Sequence, residues 1–425
     1  MSLTPNSRHN LPTFQQVSKS LGGGCLAVFE SLRRRASEDH LPCYLVGGPV
    51  RDLLIGVPLR DLDVSIEGDA TALAAVLAEE LGAKLTTHRR FGTATVTLSG
   101  EHIDLVTARK EEYPRPGALP KVSPGTIIDD LARRDFSINA IALLISGARP
   151  RVVDPHGGMD DVERGTIRTL HPASFIDDPT RVLRAVRYEQ RLGFSLDDST
   201  LSDLCDALAS GAVATVSGDR WRHELDRILD EAHPGDALVR AVELGILAGI
   251  HPGLTGPASI GRISASPTAG PECYLAGLVY PLSQVEGEEL IRRLKLPKQR
   301  AKLVRDTISL RENERKLKIA VSTASKLVAS LDGLDLEAIG AVAILNDDLQ
   351  IRQGLERYIS EFRNVSPQLT GEDLLAMGVA EGPEIGELLA CLLDARLDGQ
   401  VKTVDDEQAM ARNWISRRRA VGQTS

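Results

Sequence analysis

The chain has 425 residues, of which 42% are hydrophobic and 26% are charged. This length predicts a large buried core divided among two to four domains, and the composition is typical of a globular protein. The formal net charge of −9 excludes a wholly basic nucleic-acid binder. Any contact with nucleic acid must therefore come from local patches of Lys and Arg.

The five cysteines are scattered and form no Cys-x-x-Cys pair, which argues against a disulfide framework and against a zinc site. The first ten residues are polar, and no apolar stretch approaches the length of about eighteen residues that a membrane helix needs. We therefore expect a cytoplasmic protein with no membrane partner. The sequence leaves the oligomeric state open.

Short β-like runs are mixed with helical segments from about residue 24 to residue 170, which predicts an α/β head domain. The β-like runs are residues 43–46, 63–66, 93–98, 102–107 and 151–153. Beyond residue 175 amphipathic helical patterns dominate, and clusters of Gly and Pro separate them. The remainder of the chain is therefore predicted to be all-helical.

A glycine pair follows the first predicted strand, Cys43–Val46, and precedes a predicted helix over residues 49–55. Because Gly47 and Gly48 have no side chains, their backbone N–H groups can closely approach a triphosphate. The N-terminus of the helix favours negative charge, and Arg51 adds a planar fork of donors. The segment predicts a phosphate-binding turn.

Asp61 and Asp63 stand two residues apart in a second predicted strand, so both side chains share one face. Two adjacent carboxylates suit a pair of Mg²⁺ ions about 3.5–4 Å apart, one activating a hydroxyl and the other steadying a leaving pyrophosphate. The alternative is a solvated turn with two surface aspartates. Placed after the glycine pair, the carboxylates indicate nucleotidyl transfer.

Asp104 lies in the alternating run 102–107 and is a candidate third carboxylate near the metal ions. An aspartate at a strand end without a ligand role is the alternative. The segment 130–140 predicts a helix whose first turn carries Arg133 and Arg134, where the helix dipole disfavours cations. A bound nucleotide triphosphate would explain these arginines, and so would pairing with Asp130 or Asp135.

Asp178, Arg181, Arg184 and Arg187 recur every three residues in a helix that we predict to begin near residue 177. Asp178 can accept a hydrogen bond from the amino group of cytosine or adenine, and Arg181 can donate one to the adjacent ring nitrogen. Uracil and guanine present the opposite pattern, so this pair would select C and A. The alternative is an ordinary (i, i+3) ion pair.

Basic residues are concentrated between residues 292 and 318, and Arg417–Arg419 form a second cluster. Either cluster is suited to follow a phosphate backbone, although solvated helix faces are the alternative. Since only 4% of the residues are aromatic, shape recognition of a folded RNA is favoured over base stacking. The candidate RNA-binding residues are Arg292, Arg293, Lys295 and Lys298.

These motifs together resemble the class II tRNA nucleotidyltransferases and the related bacterial poly(A) polymerases of the DNA polymerase beta superfamily. The matching segments are Leu45–Asp52 with Asp61 and Asp63, Arg133–Ala140, Asp177–Arg181, Gly218–Leu225, Thr370–Leu374 and Gly382–Gly386. The family usually has glutamate at the position of Asp177, whereas Asp178 and Arg181 match its base-reading positions. By the same matching, Gly48, Arg51, Arg134, Arg184 and Arg187 would contact the nucleotide.

The resemblance implies an α+β architecture, in which a polymerase-beta-like head with a mixed sheet precedes an all-helical neck, body and tail. The expected divisions are a polar N-terminal extension at 1–24, a catalytic head at 25–170, a base-reading neck at 171–235, a body at 236–360 and a tRNA-docking tail at 361–425.

The resemblance also implies addition or repair of the 3′-terminal CCA of tRNA from CTP and ATP, without a nucleic-acid template and with Mg²⁺ as cofactor. The tRNA 3′-hydroxyl would attack the α-phosphorus at the Asp61 and Asp63 site, and pyrophosphate would leave. Residues 111–120 resemble the mobile loop of relatives that divide this work. CC-only addition, A-only addition and polyadenylation therefore stay open, as does a catalytically silent RNA-binding scaffold.

Overall fold

The computed structural model describes residues 12–59, 62–88 and 92–422. The chain divides into two compact units. The first extends to Leu225 and includes Leu244–Ile250, and the second contains Asp226–Glu243 and the chain from His251 onward. Within the described ranges, no helix combines the length and the apolar character that crossing a membrane would require.

All the strands among the described residues lie in the first unit. They are β1 (Cys43–Val46), β2 (Leu62–Ile66), β3 (Lys84–His88), β4 (Thr93–Leu98), β5 (Glu101–Thr107), β6 (Arg109–Glu112), β7 (Lys121–Pro124), β8 (Ala142–Leu144), β9 (Arg151–Val153), β10 (Thr166–Ile167) and β11 (Ser195–Leu196) in the part of the chain that the structure describes. A seven-stranded sheet has the order β3-β4-β5-β2-β1-β8-β9, and β6-β7 and β10-β11 form separate pairs. The main sheet is mixed, because β2 and β5 are parallel and its other neighbours are antiparallel.

The predicted strands are confirmed. Three of them have the predicted bounds, and β2 and β5 each begin one residue earlier than predicted. Their alternation explains this agreement, since β5 buries Ile103 and Leu105 and leaves the intervening side chains less buried.

Helices of the N-terminal half are α1 (Phe14–Lys19), α2 (Gly23–Glu38), α3 (Gly48–Ile55), α4 (Ala70–Leu81), α5 (Ile127–Ala132), α6 (Gly158–Arg164), α7 (Ser174–Asp177), α8 (Arg181–Leu192), α9 (Asp198–Ala209), α10 (Gly218–Leu229), α11 (Pro234–Glu243) and α12 (Ile246–Ile250). The helix predicted over 49–55 is α3, which starts at Gly48 and carries proline in its first turn. Short 3₁₀ helices cover Ser137–Asn139 and Ala212–Thr215.

The remaining helices are α13 (Pro257–Ser264), α14 (Pro271–Val279), α15 (Gln284–Leu294), α16 (Lys298–Glu312), α17 (Glu314–Ala320), α18 (Ala324–Leu331), α19 (Leu336–Leu345), α20 (Leu349–Ser360), α21 (Gly371–Ala376), α22 (Pro383–Leu397) and α23 (Val404–Gly422), with a 3₁₀ turn at Phe362–Asn364. One apolar core is formed by residues of the five helices α16 through α20, and another by residues of α21, α22 and α23. The α+β class with a mixed-sheet head and a helical remainder is thus confirmed. The division into extension, head, neck, body and tail stays a prediction.

Aromatic side chains fix the segment after α5 against α7 and α8 in the first unit. Phe136 is fully buried, and its ring centroid lies 6.4 Å from that of Phe175 and 6.0 Å from that of Tyr188. Edge-on and tilted contacts of this kind are the favoured geometries of aromatic pairs. The packing brings the predicted second motif next to the helix of the predicted base-reading motif.

Candidate active site

The glycine turn and Asp63 lie at the same end of the paired strands β1 and β2. Strands β1 and β2 are antiparallel, with Leu45 opposite Val64. The end of β1 that leads into Gly47 is therefore beside the beginning of β2, where Asp63 stands. Antiparallel pairing of β1 with β2 therefore places Asp63 close to the Gly47 turn.

Gly47 is required at its position for two separate reasons. Its backbone has φ 73° and ψ −131°, a conformation that L side chains rarely adopt. A Cβ atom there would also lie 2.5 Å from Nη1 of Arg134. The turn therefore leaves room for a guanidinium at the start of α3.

Asp63 and Asp104 lie opposite each other on the parallel strands β2 and β5. Residues in register on neighbouring strands share a face, so the two carboxylates are adjacent. Asp104 Oδ1 accepts a hydrogen bond of 2.5 Å from Thr95 Oγ1 on β4. Carboxylate oxygens are the ligands that hard divalent cations prefer, so this arrangement fits a metal site.

Asp61, the other predicted catalytic and metal-binding residue, lies outside the described residues. Within residues 12–59, 62–88 and 92–422, no cluster of three His, Cys, Asp or Glu side chains suited to a metal ion is found. Among the described residues, the candidate metal ligands of this site are therefore Asp63 and Asp104.

Two arginines flank the glycine turn. Arg51 is 2% exposed, and it donates to Asn139 Oδ1 at 2.6 Å and to Asp52 Oδ1 at 2.7 Å. Arg134 donates to Asp130 Oδ2 at 3.0 Å and to the Asn139 carbonyl at 3.5 Å. Each guanidinium is thus held in place by the protein before any ligand binds.

The predicted position of Arg133 and Arg134 in a helix is wrong. Helix α5 begins after a capping box formed by Thr126 and Asp129, and Arg133 is its C-cap. Both arginines therefore follow the C-terminal end of the helix, where the dipole favours cations. Their position supplies no argument for a bound anion.

The alternative partner of these arginines, Asp130, is confirmed. Its carboxylate lies 2.7 Å from Arg133 Nη2 and 3.0 Å from Arg134 Nη2. Burial raises the pKa of Asp130, but the two arginine charges outweigh this effect and hold the pKa below its ordinary value. Pairing of Nη2 with Asp130 holds Arg134 so that its Nη1 lies beside Gly47.

The predicted helix from residue 177 is also wrong at its start. Helix α7 ends at Asp177, Asp178 is extended with φ −131° and ψ 91°, and α8 begins at Arg181. Asp178 therefore precedes the helix that carries Arg184 and Arg187. A proline after Asp178 favours the extended backbone there, because the residue before proline avoids the helical conformation.

Asp178 and Arg181 are each bonded to other groups, so the simple (i, i+3) ion pair is not formed. Arg181 is 4% exposed and donates to Ser174 Oγ at 2.6 Å and to the Arg133 carbonyl at 2.8 Å. Asp178 Oδ1 accepts a hydrogen bond of 2.6 Å from Arg220 Nη2. Each of the two predicted base-reading side chains is thus held by a different set of partners.

Arg184 joins α8 to the second motif through an ion pair with a buried carboxylate. Its Nη2 lies 2.5 Å from Asp135 Oδ2, and Asp135 Oδ1 accepts from Asn139 Nδ2 at 3.1 Å. The charge of Asp135 raises the pKa of Arg184 against the effect of burial. Burial raises the pKa of Asp135, but the charges of Arg184 and Arg181 lower it below its ordinary value.

A shared ring links two further predicted residues. The guanidinium carbon of Arg187 lies 4.8 Å from the ring centroid of Tyr188, and that of Arg51 lies 5.3 Å from the same centroid. Such cation–π contacts are favourable. Arg51, Arg134, Arg181, Arg184 and Arg187 are therefore brought together around one network.

Sequence reasoning gave Asp135 only as an alternative partner of Arg133 and Arg134, whereas it pairs with Arg184. It assigned no role to Asn139, Ser174, Thr180 or Arg220. Asp135 and Asn139 lie in the second motif, and their four-residue spacing was the available signal for a contact. Arg220 stands 42 residues from Asp178, so no local pattern indicates their pairing.

Residues 111–120, which resemble a mobile loop, contain the last two residues of β6 and the connection to β7, with which β6 forms an antiparallel pair. Glu111 accepts hydrogen bonds from Arg109 at 2.8 Å, from Arg133 at 3.2 Å and from the Tyr113 hydroxyl at 3.0 Å. Burial raises the pKa of Tyr113 to about 12; the charge of Arg181 opposes this shift, and the carboxylates of Glu111 and Asp178 add to it. The base of the hairpin is thus bonded to the second motif.

The basic run from residue 292 to 318 is more nearly neutral than its sequence indicates. Its members pair with carboxylates from distant parts of the second unit, namely Arg300 with Asp226 and Glu272, Arg305 with Glu288, and Lys318 with Asp348, while Lys302 pairs with Asp306. Of the predicted RNA-binding residues, Arg292, Lys295 and Lys298 are exposed, whereas Arg293 is half-buried and burial lowers its pKa.

The C-terminal basic cluster is partly neutralised as well. Arg418 pairs with Glu384 at 3.0 Å and also with Glu387, and it lies over the ring of Trp414. Arg417 is exposed.

Comparison with protein families gives two matches. Residues 43–168 match the Poly A polymerase head domain, and residues 193–256 match a domain described as the probable RNA and SrmB-binding site of polymerase A. The first match contains the glycine turn, Asp63, Asp104 and the second motif. The second match lies in the helical region that follows.

Three relatives are similar to this chain over nearly all of its length. An A-adding tRNA nucleotidyltransferase of Halalkalibacterium halodurans is 30% identical over 96% of this chain and 97% of its own. A CC-adding tRNA nucleotidyltransferase of Deinococcus radiodurans is 33% identical over 95% of this chain and 97% of its own. An A-adding tRNA nucleotidyltransferase of Geobacter sulfurreducens is 32% identical over 93% of this chain, which spans 48% of that longer protein.

Solved structures give the same result. A Thermotoga maritima CCA-adding enzyme complexed with tRNA is 26% identical, with a TM-score of 0.77 over 94% of this chain and 98% of its own. A CCA-adding enzyme in complex with ATP is 27% identical, with a TM-score of 0.78 over 95% and 98% of the two chains. A CCA-adding enzyme with CTP has the same identity and TM-score over 94% and 98%. With relatives matched along nearly their whole length and the same fold in these structures, this chain belongs to the tRNA nucleotidyltransferase family.

Proposed function

We propose that the protein transfers nucleotides from CTP and ATP to the 3′ end of tRNA, adding or repairing CCA without a nucleic-acid template and releasing pyrophosphate. The observation that carries this proposal is the strand register. It sets Asp63 beside Asp104 at the same end of the sheet as the Gly47 turn. A carboxylate metal site next to an anion-binding turn is the arrangement that nucleotidyl transfer requires.

Membership of the family implies the use of a divalent metal. We propose that the metal is Mg²⁺ and that Asp61, Asp63 and Asp104 hold it. When bound, Mg²⁺ would make the tRNA 3′-hydroxyl a better nucleophile and neutralise charge on the departing pyrophosphate. Thr95, through its hydrogen bond of 2.5 Å, fixes the orientation of the Asp104 carboxylate.

The triphosphate is assigned to the turn formed by Gly47 and Gly48, with Arg51 and Arg134 on either side. The support is that a Cβ on Gly47 would contact Arg134 Nη1, and a Cβ on Gly48 would lie 3.5 Å from Arg51 Nη2. The backbone can therefore approach phosphate oxygens between two guanidiniums. Since Asn139 bonds to both arginines, their separation is fixed before the nucleotide binds.

Asp178 and Arg181 are assigned to the base, with Arg184 and Arg187 completing the nucleotide pocket. Arg181 donates to the carbonyl of Arg133, the neighbour of Arg134. This bond connects the base-reading residues to the triphosphate turn. The contact supports a single pocket in which the base and the phosphates are positioned together.

For tRNA, we propose contacts from Arg292, Arg293, Lys295 and Lys298 in the predicted body, while the predicted tail docks the rest of the molecule. Three of these side chains are exposed and stand at the junction of α15 and α16. A cytoplasmic location belongs to the same proposal, because the enzyme needs CTP, ATP and tRNA there.

A primer-extension assay tests the function. Purified protein with Mg²⁺ would be given a tRNA that lacks its last three nucleotides, or one that lacks only the terminal A. Each would be tested with CTP, ATP, both, neither, or UTP or GTP alone. We expect extension by three nucleotides with both triphosphates and none with UTP or GTP alone. Failure to extend any tRNA end would contradict the proposal and favour an RNA-binding scaffold.

A divided activity is the second candidate, and a specific observation favours it. The relatives matched along nearly their full length are named A-adding and CC-adding enzymes. The same assay separates the cases, since an A-adding enzyme would extend only a tRNA ending in CC. A CC-adding enzyme would stop after two nucleotides, and a poly(A) polymerase would add a long run from ATP alone.

A further inference from the structure

Arg220, near the start of α10, bridges two parts of the pocket that are far apart in sequence. Its Nη2 donates to Asp178 Oδ1 at 2.6 Å, and its Nη1 donates to the Gly117 carbonyl at 2.9 Å. The side chain is 24% exposed, and that of Asp178 is 15% exposed. One guanidinium therefore joins the proposed base reader to the turn between β6 and β7.

The Asp178 carboxylate has an asymmetric set of partners. Oδ1 accepts from the Thr180 N–H at 3.1 Å, from Thr180 Oγ1 at 2.6 Å and from Arg220. For Oδ2, the described part of the chain supplies no such hydrogen bond. A carboxylate oxygen has about two lone-pair directions, so the three donors occupy Oδ1 and leave Oδ2 for a ligand.

This asymmetry fixes the rotation of the carboxylate. Two donors belong to Thr180, the residue two positions along the chain, and these form a local turn. Arg220 is the donor that comes from outside this turn. Removing it would leave the carboxylate free to rotate on the local turn and to accept from different directions.

The other end of the bridge holds the segment between β6 and β7. Gly117 has φ 66°, and its N–H donates to the Asp177 carbonyl at 3.2 Å. A Cβ on Gly117 would collide with Thr215 Oγ1, so this turn is tightly packed. Leu119, two residues later, is 74% exposed. The segment is therefore anchored at Gly117 to the residues that flank the base reader.

We propose that Arg220 is a positioning residue that orients the Asp178 carboxylate and couples it to the turn at Gly117, and thereby sets nucleotide selectivity. The inference rests on the proposed function. With Oδ2 directed at the base, a cytosine or adenine amino group is accepted, while the carbonyl of uracil or guanine meets a like-charged oxygen. A carboxylate that rotates away no longer repels that carbonyl.

The test uses the full-length protein and compares kcat/KM for the cognate triphosphate with kcat/KM for UTP and GTP. In Arg220→Met, we expect the preference for CTP over UTP, or for ATP over GTP, to fall about tenfold to a hundredfold, the range for a charged hydrogen bond. Arg35→Met is the matched control. Arg35 pairs with Glu80 at 3.0 Å in the same unit, and its loss should leave the preference unchanged.

Two further variants separate positioning from folding. Thr180→Val removes one donor to Oδ1 and should lower the preference less than Arg220→Met does. Gly117→Ala displaces the turn without removing a charge, and it should also lower the preference. The double variant of Arg220 and Gly117 should be no less selective than Arg220→Met alone, because both changes break one bridge.

The outcomes are distinguishable. Wild-type protein that extends no tRNA contradicts the proposed function, whichever variant is examined. Wild-type extension with an unchanged preference in folded Arg220→Met overturns the positioning role. If Arg220→Met does not fold, Gly117→Ala and Thr180→Val decide, and unchanged preference in both overturns the proposal.

Discussion

The arginines of the candidate active site and the basic residues near α16 use the same side-chain chemistry in opposite ways. Around the glycine turn, guanidiniums are buried or half-buried and held by fixed carboxylates and carbonyls, as Arg51, Arg181 and Arg184 are. At Lys295 and Lys298 the charges are exposed to water. Buried groups of fixed geometry give specificity, whereas exposed charges give weak, salt-dependent attraction.

This contrast predicts that single changes in the head have large, specific effects and that single changes on the basic surface have small, uniform effects. The predictions below test the two halves of that statement, in order of decreasing expected effect.

Asp63→Asn should lower the rate of nucleotide addition by roughly 10³-fold or more, since a metal ligand contributes several kcal/mol to the transition state. Binding of tRNA should change little, which a filter-binding assay would check. Asp104→Asn sharpens the result. A comparable loss of rate would support Asp104 as a metal ligand. Nearly full activity would show that Asp104 has no ligand role and only bonds to Thr95.

Asp135→Asn should destabilise the head by about 2–4 kcal/mol at pH 7, because it leaves Arg184 partly buried without its anion. The folded-state pKa of Asp135 is lowered, so its stabilisation is present above the unfolded value of about 3.9 and is lost as the pH falls through the folded value. The free energies of unfolding of the wild-type protein and of Asp135→Asn should therefore become equal as the pH is lowered. A difference that persists unchanged to the lowest pH at which both fold would contradict the ion-pair account.

Gly47→Ala should weaken binding of the triphosphate about tenfold to a hundredfold. The methyl group would sit against Arg134 in a backbone conformation that costs about 1–3 kcal/mol for a residue with a side chain. Nucleotide affinity, measured by calorimetry without tRNA, checks this expectation. Gly82→Ala at the end of α4 is a suitable control, since its φ is also positive but nothing lies within 4 Å of its Cβ position.

Lys298→Ala should lower the affinity for tRNA only about twofold to threefold and reduce the dependence on salt by about one phosphate contact. Selectivity among nucleotides should be unaffected. Replacing Arg305 and Glu288 together removes an ion pair and no net charge, so it should change affinity less. An effect of Lys298→Ala as large as that of Asp63→Asn would break the contrast between the two regions.

Local patterns predicted the elements of the head well. The alternation along β4 and β5, and the glycines between β1 and α3, each depend on neighbours within a few residues. The predicted positions of α5 and of the start of α8 were wrong, although local features decide them as well. A capping box at Thr126 and the extended backbone at Asp178 decided them, and both outweighed the helical periodicity that follows.

The sequence by itself determined that Gly47 and Gly48 form a turn between a strand and a helix and that Asp63 lies on a strand, because these features depend on local spacing. The tertiary structure decided that Asp104 stands beside Asp63, because the register of two parallel strands joins residues 41 positions apart. It also decided that Arg220 holds Asp178 and that Glu288 and Asp226 pair with Arg305 and Arg300 of the basic run. The physical reason is that opposite charges attract across space, and only the folded chain determines which of them meet.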